Sequence, residues 1–202
     1  MEGVMTDSIE RVVFTEQQVA ARIAEVGAEI ALKYQGRDLK LIGVLKGSVF
    51  FLTALARAIA IPVKIDFLAI SSFGEVSKGV SRGMVRIAKD LDDPIEDEDV
   101  LLVEDIVDTG LTTRYLLQTL AGRGPRSLGI CTLLDRTVRR IVQVPIDYRC
   151  FDIPDRFVVG CGLDYQQQYR NLPYIAVLKP AALHSGSDES LTASGSGKTN
   201  PW

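Results

Sequence analysis

The chain reads as a doubly wound parallel α/β sheet carrying a smaller β-rich lobe. Three observations predict this. Short apolar runs stand at 39–45, interrupted only by Lys40, and at 100–103, as in strands covered on both faces. Helical stretches separate them, so strand and helix alternate. After Asp135 the pattern changes, and short strand candidates follow one another without proper helices between them.

A chain of 202 residues suffices for one well-buried domain and is short for two. The composition, 47% hydrophobic and 24% charged, is that of an ordinary globular protein. A formal net charge of −3 gives no general attraction to nucleic acid or to an anionic membrane, so any phosphate ligand needs a local site. No apolar run approaches the ~18 residues of a membrane span, and Met1 to Asp7 lacks the basic and apolar regions of a signal peptide. The expectation is a cytoplasmic protein with no nucleic-acid or membrane partner. The three cysteines, Cys131, Cys150 and Cys161, have no metal-ligand spacing, and His184 is the single histidine. They are expected to be free thiols in a reducing compartment.

Along the chain, residues 1–11 are polar and aperiodic, and are expected to be loosely ordered. Thr15-Glu16-Gln17-Gln18 is a capping-box pattern, and Val19, Ile23, Val26 and Ile30 recur at helical spacing, which predicts a helix over 15–34. Leu39–Leu45 is a buried strand that turns at Lys46-Gly47-Ser48. Val49 to Ala60 is an apolar helix stopped by Pro62, and Val63 to Ile70 is the next strand, completing a right-handed crossover. Residues 71–90 are rich in Gly, Ser and charge over 71–83 and read as a long loop, either a functional lid or a disordered insertion. The six acids between Asp92 and Asp99 read as a solvated turn. Val100–Val103 is a strand, Leu111 to Leu120 a helix ended by Gly122, Gly124 and Pro125, and Ser127 to Leu134 a further strand. The segments 144–148, 157–161 and 174–178 are the short strands of the second lobe. Residues 183–202, dominated by Ser, Gly, Thr and Asp, read as a disordered tail.

Ligands of open parallel sheets bind beyond the carboxyl ends of the strands. The strand at 100–103 delivers Glu104, Asp105 and Asp108 there. Charges in such a place are costly unless they meet water, metal or ligand hydroxyls. Gly110 permits a tight turn and a close ligand approach. Free amides at the helix start, together with the Thr109 and Thr112 hydroxyls, make a cup for a phosphate monoester.

The stretch Val103-Glu104-Asp105-Ile106-Val107-Asp108-Thr109-Gly110-Leu111-Thr112 resembles the phosphoribosyl pyrophosphate signature of type I phosphoribosyltransferases, and its Glu-Asp pair resembles the hypoxanthine-guanine branch. Leu45-Lys46-Gly47-Ser48 is similar to that family's pyrophosphate loop, and Ser71-Ser72-Phe73-Gly74 to the start of its mobile catalytic loop. Phe157 to Tyr165, followed by Arg170, is similar to its purine-binding hood. The resemblance runs from about residue 12 to 180. It implies one domain over 1–182, with a core of about 36–134 and a hood of about 135–180 joined by the N-terminal segment.

The resemblance also implies roles. Glu104 and Asp105 would hold the ribose hydroxyls, directly or through magnesium, and Asp164 a second magnesium. Asp108 would be the general acid/base at purine N7. The backbone of Asp108, Thr109, Gly110, Leu111 and Thr112 would bind the 5′-phosphate. Lys46, Gly47 and Arg170 would meet pyrophosphate, the Lys46–Gly47 peptide often being cis. Phe157 would stack on the base and the Val158 backbone would read its edge, while Ser72 and Phe73 would belong to the closing loop. Arg136 stands where the family usually has a lysine donating to the 6-oxo group, and Phe73 where it often has tyrosine. The implied activity is purine salvage: phosphoribosyl pyrophosphate and hypoxanthine or guanine give IMP or GMP and pyrophosphate, in a homodimer or homotetramer. A xanthine-preferring enzyme and a nucleotide-binding regulator of the same fold are the alternatives; the acidic balance and Glu104 count against the regulator.

Overall fold

Thr15 sets the first helix. Its Oγ1 accepts from Gln18 N at 3.3 Å, and the Gln18 side chain accepts from Thr15 N at 2.9 Å, so α1 (Glu16–Lys33) begins at the expected cap. The computed structural model describes residues 7–73 and 84–184. After α1 come β2 (Leu39–Leu45), α2 (Ser48–Ala58), β3 (Val63–Phe73), β4 (Met84–Lys89), β5 (Asp99–Val107), α3 (Leu111–Ala121), β6 (Ser127–Asp135) and β7 (Tyr148–Asp152). Strand β1 (Ile9–Phe14) precedes α1, and β8 (Val158–Val159), β9 (Ile175–Leu178) and the short helix α4 (Pro180–His184) close the described chain.

The main sheet has the order β4-β3-β2-β5-β6-β7. All its pairings are parallel except β3 with β4. Both faces of the central strands are covered. Leu101 and Val103 of β5 face a core built with Val26 and Ile30 of α1 and Leu52 and Leu55 of α2. Val100 and Leu102 face the opposite core, with Leu116 and Leu120 of α3. This is the alternation of a strand dry on both sides, and it explains why the sequence shows an unbroken apolar run there. No helix among the described residues is long and apolar enough to cross a membrane.

Several expectations need correction. Residues 9–14 are ordered as β1, which pairs antiparallel with β9 in a separate three-stranded sheet, β1-β9-β8; it is an edge strand with Glu10, Arg11 and Val12 exposed. The first strand after Asp135 lies at 148–152 rather than 144–148, and it extends the main sheet beside β6 instead of joining the small lobe. Tyr148 and Cys150 face inward while Arg149 faces out. Within 71–90, β3 runs on to Phe73 and β4 folds back on it as a hairpin; residues 74–83 of the expected loop lie outside the described residues. Helix α4 extends to His184, and residues 185–202 of the expected tail also lie outside them. The cysteines are free, Cys131 and Cys150 being buried. Burial raises the thiols of Cys150 and Cys161, to about 12 and about 11.

The acidic run is only partly a solvated turn. Asp92, Asp93, Glu96 and Asp97 are exposed, but Asp99 is fully buried. It accepts from Ser127 Oγ at 2.6 Å and from Arg126 Nη1 at 3.1 Å, with Arg37 at 3.7 Å. Glu98 pairs with Lys40 at 3.2 Å and Lys64 at 3.0 Å. Burial pushes the Glu98 carboxyl up, but the hydrogen bonds from Lys64 and Lys40 outweigh this and hold it below its ordinary value. The two acids tie together the starting ends of β2, β3, β5 and β6. Asp99→Ala is expected to lower stability by about 1–3 kcal/mol, read as the shift in a urea denaturation midpoint; an unchanged midpoint would show that the buried pairings contribute nothing.

Candidate active site

Strand β5 leaves its dry middle and carries straight on into charge. Glu104 and Asp105 lie within the strand rather than after it, because backbone pairing with β6 continues to Val107 opposite Asp135. Glu104 is 5% exposed. Burial, and then the neighbouring Asp105 charge, hold the Glu104 carboxyl well above its ordinary value. Burial also raises Asp105, partly offset by the Ile106 amide, which donates to it at 3.0 Å. Among the described residues no cation forms an ion pair with either acid.

The chain then turns at Gly110, whose φ of +82° suits glycine. Gly110 is also the N-cap of α3, with no side-chain cap. Asp108 is therefore not spent on capping; Leu111 N donates to Thr109 Oγ1 at 3.4 Å, and the amides of Thr112 and Thr113 are left for another acceptor. Glu104, Ile106, Asp108, Thr109, Gly110, Thr112 and Thr113 line a cavity of about 180 Å³. Leu111 begins the helix and is half-exposed beside it. A second cavity, of about 230 Å³, is lined by Asp105, Ile106, Asp108, Arg136, Phe157, Val158, Leu163 and Asp164. Ile106 and Asp108 are common to both.

Arg136 is buried in the second cavity. Its Nη1 lies 3.3 Å from Asp108 Oδ2 and its Nη2 donates to the Arg156 carbonyl at 2.7 Å. Its Nε and Asp108 Oδ1 are buried without a hydrogen-bond partner among the described residues. Phe157 is 42% exposed and packs edge-on to Tyr165 at 5.7 Å, leaving a ring face open. Val158 is buried beneath it.

On the other side of the acids stands the Lys46-Gly47 turn. The cis bond here is Leu45–Lys46, one peptide earlier than expected. A Cβ on Gly47 would overlap the Asp105 carboxylate, and one on Gly162 would overlap the Gly47 carbonyl, so the two glycines bring β2, β5 and the 160–168 loop into contact. Lys46 Nζ reaches Gln167 Oε1 at 3.4 Å. Arg170 donates to the Gly162 carbonyl at 2.7 Å and pairs with Asp164 at 2.7 Å. Ser72 and Phe73 end β3. Gln167, Thr113 and Arg140 were not anticipated. Gln167 links Lys46 to Arg170. Arg140 donates to the carbonyls of Val107 and Asp108. In the sequence it is one more arginine in an Arg-rich loop, with nothing to single it out.

Two cavities, one at the start of α3 and one beside Phe157, thus meet at the Asp108 carboxylate. The Phosphoribosyl transferase domain family matches residues 13–166. The hypoxanthine-guanine phosphoribosyltransferase of Mycobacterium avium is 52% identical over 178 residues, 85% of this chain and 87% of that protein. The chain belongs to the hypoxanthine-guanine phosphoribosyltransferase family. Among solved structures, a hypoxanthine phosphoribosyltransferase of Staphylococcus aureus is 42% identical with a TM-score of 0.85, covering 90% of this chain and 98% of that one. The enzyme of Trypanosoma cruzi in complex with its product IMP is 42% identical with a TM-score of 0.80, covering 87% and 97%.

The buried acids make a stability prediction. A carboxyl whose pKa is raised on folding contributes its stability fully below its unfolded value, ordinarily 4.5 for Glu104, and loses it as pH rises. Glu104→Gln removes that loss. In chelator-treated buffer the variant is expected to melt above the parent at pH 7, the gap closing toward pH 4. Equal melting temperatures at pH 7 would contradict the reading.

Proposed function

We propose that the chain transfers the 5-phosphoribosyl group of phosphoribosyl pyrophosphate to hypoxanthine or guanine, releasing IMP or GMP and pyrophosphate. The observation that carries this is Asp108, which lines both cavities. A nucleotide has the same layout, with a phosphorylated sugar on one side of a glycosidic bond and a base on the other.

The base enters between Phe157 and the buried wall at Val158. Arg136 Nε and Asp108 Oδ1, a donor and an acceptor both buried without partners among the described residues, suit a 6-oxo group and an adjacent N7–H. As purine N9 bonds to C1′ and the bond to pyrophosphate breaks, the Asp108 carboxylate takes the N7 proton. The Asp108–Thr112 backbone and the Thr109 and Thr112 hydroxyls hold the 5′-phosphate. Lys46, Gly47 and Arg170 face the departing pyrophosphate, through a sugar centre of oxocarbenium character. Ser72 and Phe73, at the end of β3, would belong to the part of the chain that excludes water from the reaction.

The residues suit magnesium: two buried carboxylates without a cation, in an all-oxygen setting. Among the described residues no group of three or more acidic, His or Cys side chains could hold a metal by itself. This fits an ion that keeps waters and shares its ligands with substrate. Glu104 and Asp105 would hold one ion beside the ribose hydroxyls, and Asp164, which also pairs with Arg170, a second. Bound magnesium supplies positive charge to the leaving group. The catalytic unit is residues 1–182, core and hood together, working in the cytoplasm as a homodimer or homotetramer, as family membership suggests.

The test is turnover of hypoxanthine, guanine, xanthine and adenine with and without magnesium. The expected result is magnesium-dependent nucleotide formation from hypoxanthine or guanine and none from adenine; turnover of none of the four would sink the proposal. Asp108→Asn is expected to lower kcat by about 100-fold or more with little change in KM for phosphoribosyl pyrophosphate, and full activity in that variant would remove Asp108 from proton transfer.

A further inference from the structure

Three successive peptides at the turn between β5 and α3 have their carbonyls held from one direction. The Val107 carbonyl accepts from Arg136 N at 2.9 Å and from Arg140 Nη2 at 3.3 Å. The Asp108 carbonyl accepts from Arg140 Nε at 2.9 Å. The Thr109 carbonyl accepts from the amides of Ile141 and Val142 at 2.9 and 3.1 Å. Every one of these donors lies in residues 136–142. The Arg140 side chain is 8% exposed, so its geometry is set by packing. Its guanidinium also pairs with Asp135, the last residue of β6, which Arg149 holds from the far side at 3.0 Å. Gly110 fits the same surface, since a Cβ there would crowd the Val142 carbonyl and Arg140 Cδ.

In a trans peptide the C=O of one residue and the N–H of the next point in opposite directions in one plane. Fixing the carbonyls of Val107, Asp108 and Thr109 on the brace side therefore turns the amides of Asp108, Thr109 and Gly110 toward the 180 Å³ cup. A charged donor on a carbonyl also polarises that peptide and strengthens the N–H at its other end. Arg140 serves two of the three peptides. Its charge is neutralised by Asp135, so it acts behind the loop and does not compete for the anion.

We propose that Arg140 is a positioning residue: it touches no substrate, and it orients and polarises the peptides whose amides bind the 5′-phosphate. This rests on the phosphoribosyl transfer reading above. Arg140→Lys keeps a cation opposite Asp135 but gives up the fork that reaches both carbonyls. Its KM for phosphoribosyl pyrophosphate is expected to rise about tenfold, the loss of one or two charge-assisted bonds. Its KM for the purine should stay within about twofold, because Arg136 and Phe157 are untouched. A KM for phosphoribosyl pyrophosphate within about twofold of the parent, with only a lower melting temperature, would overturn the proposal and leave Arg140 a structural residue.

The parent enzyme needs no substitution for a second measurement. The amides of Ile141 and Val142 should exchange hydrogen more slowly when IMP is bound than when it is absent, and unchanged exchange would count against a brace coupled to the cup. Parent turnover in the same assay separates the two readings. Its absence counts against the reaction, whereas normal parent turnover with an unmoved KM in Arg140→Lys counts against Arg140 alone.

Discussion

Strand β5 places carboxylates at the end of a segment that has no water on either side. Val100 to Val103 are fully buried, and the chain reaches Glu104 and Asp105 without leaving the sheet. Desolvating a carboxylate without a cation is among the larger penalties a fold can carry, and most of the local structure follows from accommodating it. Gly47 has no side chain because the Asp105 carboxylate occupies that space. Gly110 turns the chain so that the next acid, Asp108, stands free of the helix cap. The neighbouring loops bring in Lys46, Arg136 and Arg170 around the acids without pairing any of them to Glu104 or Asp105.

The two ends of the same strand show how differently a fold treats charge for stability and for chemistry. At the start, Asp99 and Glu98 are matched by Arg126, Arg37, Lys40 and Lys64, and the carboxyl of Glu98 is held low. At the finish, burial pushes Glu104 and Asp105 up, and no side chain among the described residues relieves them. The first arrangement clamps the sheet. The second leaves two buried carboxylates with no ion pair among the described residues, an arrangement that costs stability.

The sequence showed most of what is buried and little of what is at an edge. The strands 39–45 and 127–135 and the helix after Thr15 were legible because burial on two faces, or a cap with its box, leaves an unambiguous pattern. Ile9–Phe14 and Met84–Lys89 were not, since an edge strand with one wet face carries charged residues and is short. Asp99 hid in an acidic run whose other members are solvated; only the position of Ser127 and Arg126 across β6 distinguishes it, and that is a long-range fact. The ordered likeness to a family singled out Asp108, Arg136, Phe157 and Val158, and these four line one cavity. Arg140 and Gln167 were invisible because they act through backbone carbonyls and through other side chains, and such contacts impose no spacing on the sequence.

Asp108 is gripped from two sides by one seven-residue segment. Arg136 meets its carboxylate from within the base pocket, and Arg140 meets its carbonyl from behind. Both tasks suit a planar fork with five donors better than an ammonium point charge, since each guanidinium serves a carboxylate and a carbonyl at once. The segment 136–142 therefore holds the Asp108 carboxylate and the carbonyls of Val107, Asp108 and Thr109 together. A shift of that segment would move both halves of the site together, which is what bond formation between a base and a phosphorylated sugar requires of the protein that aligns them.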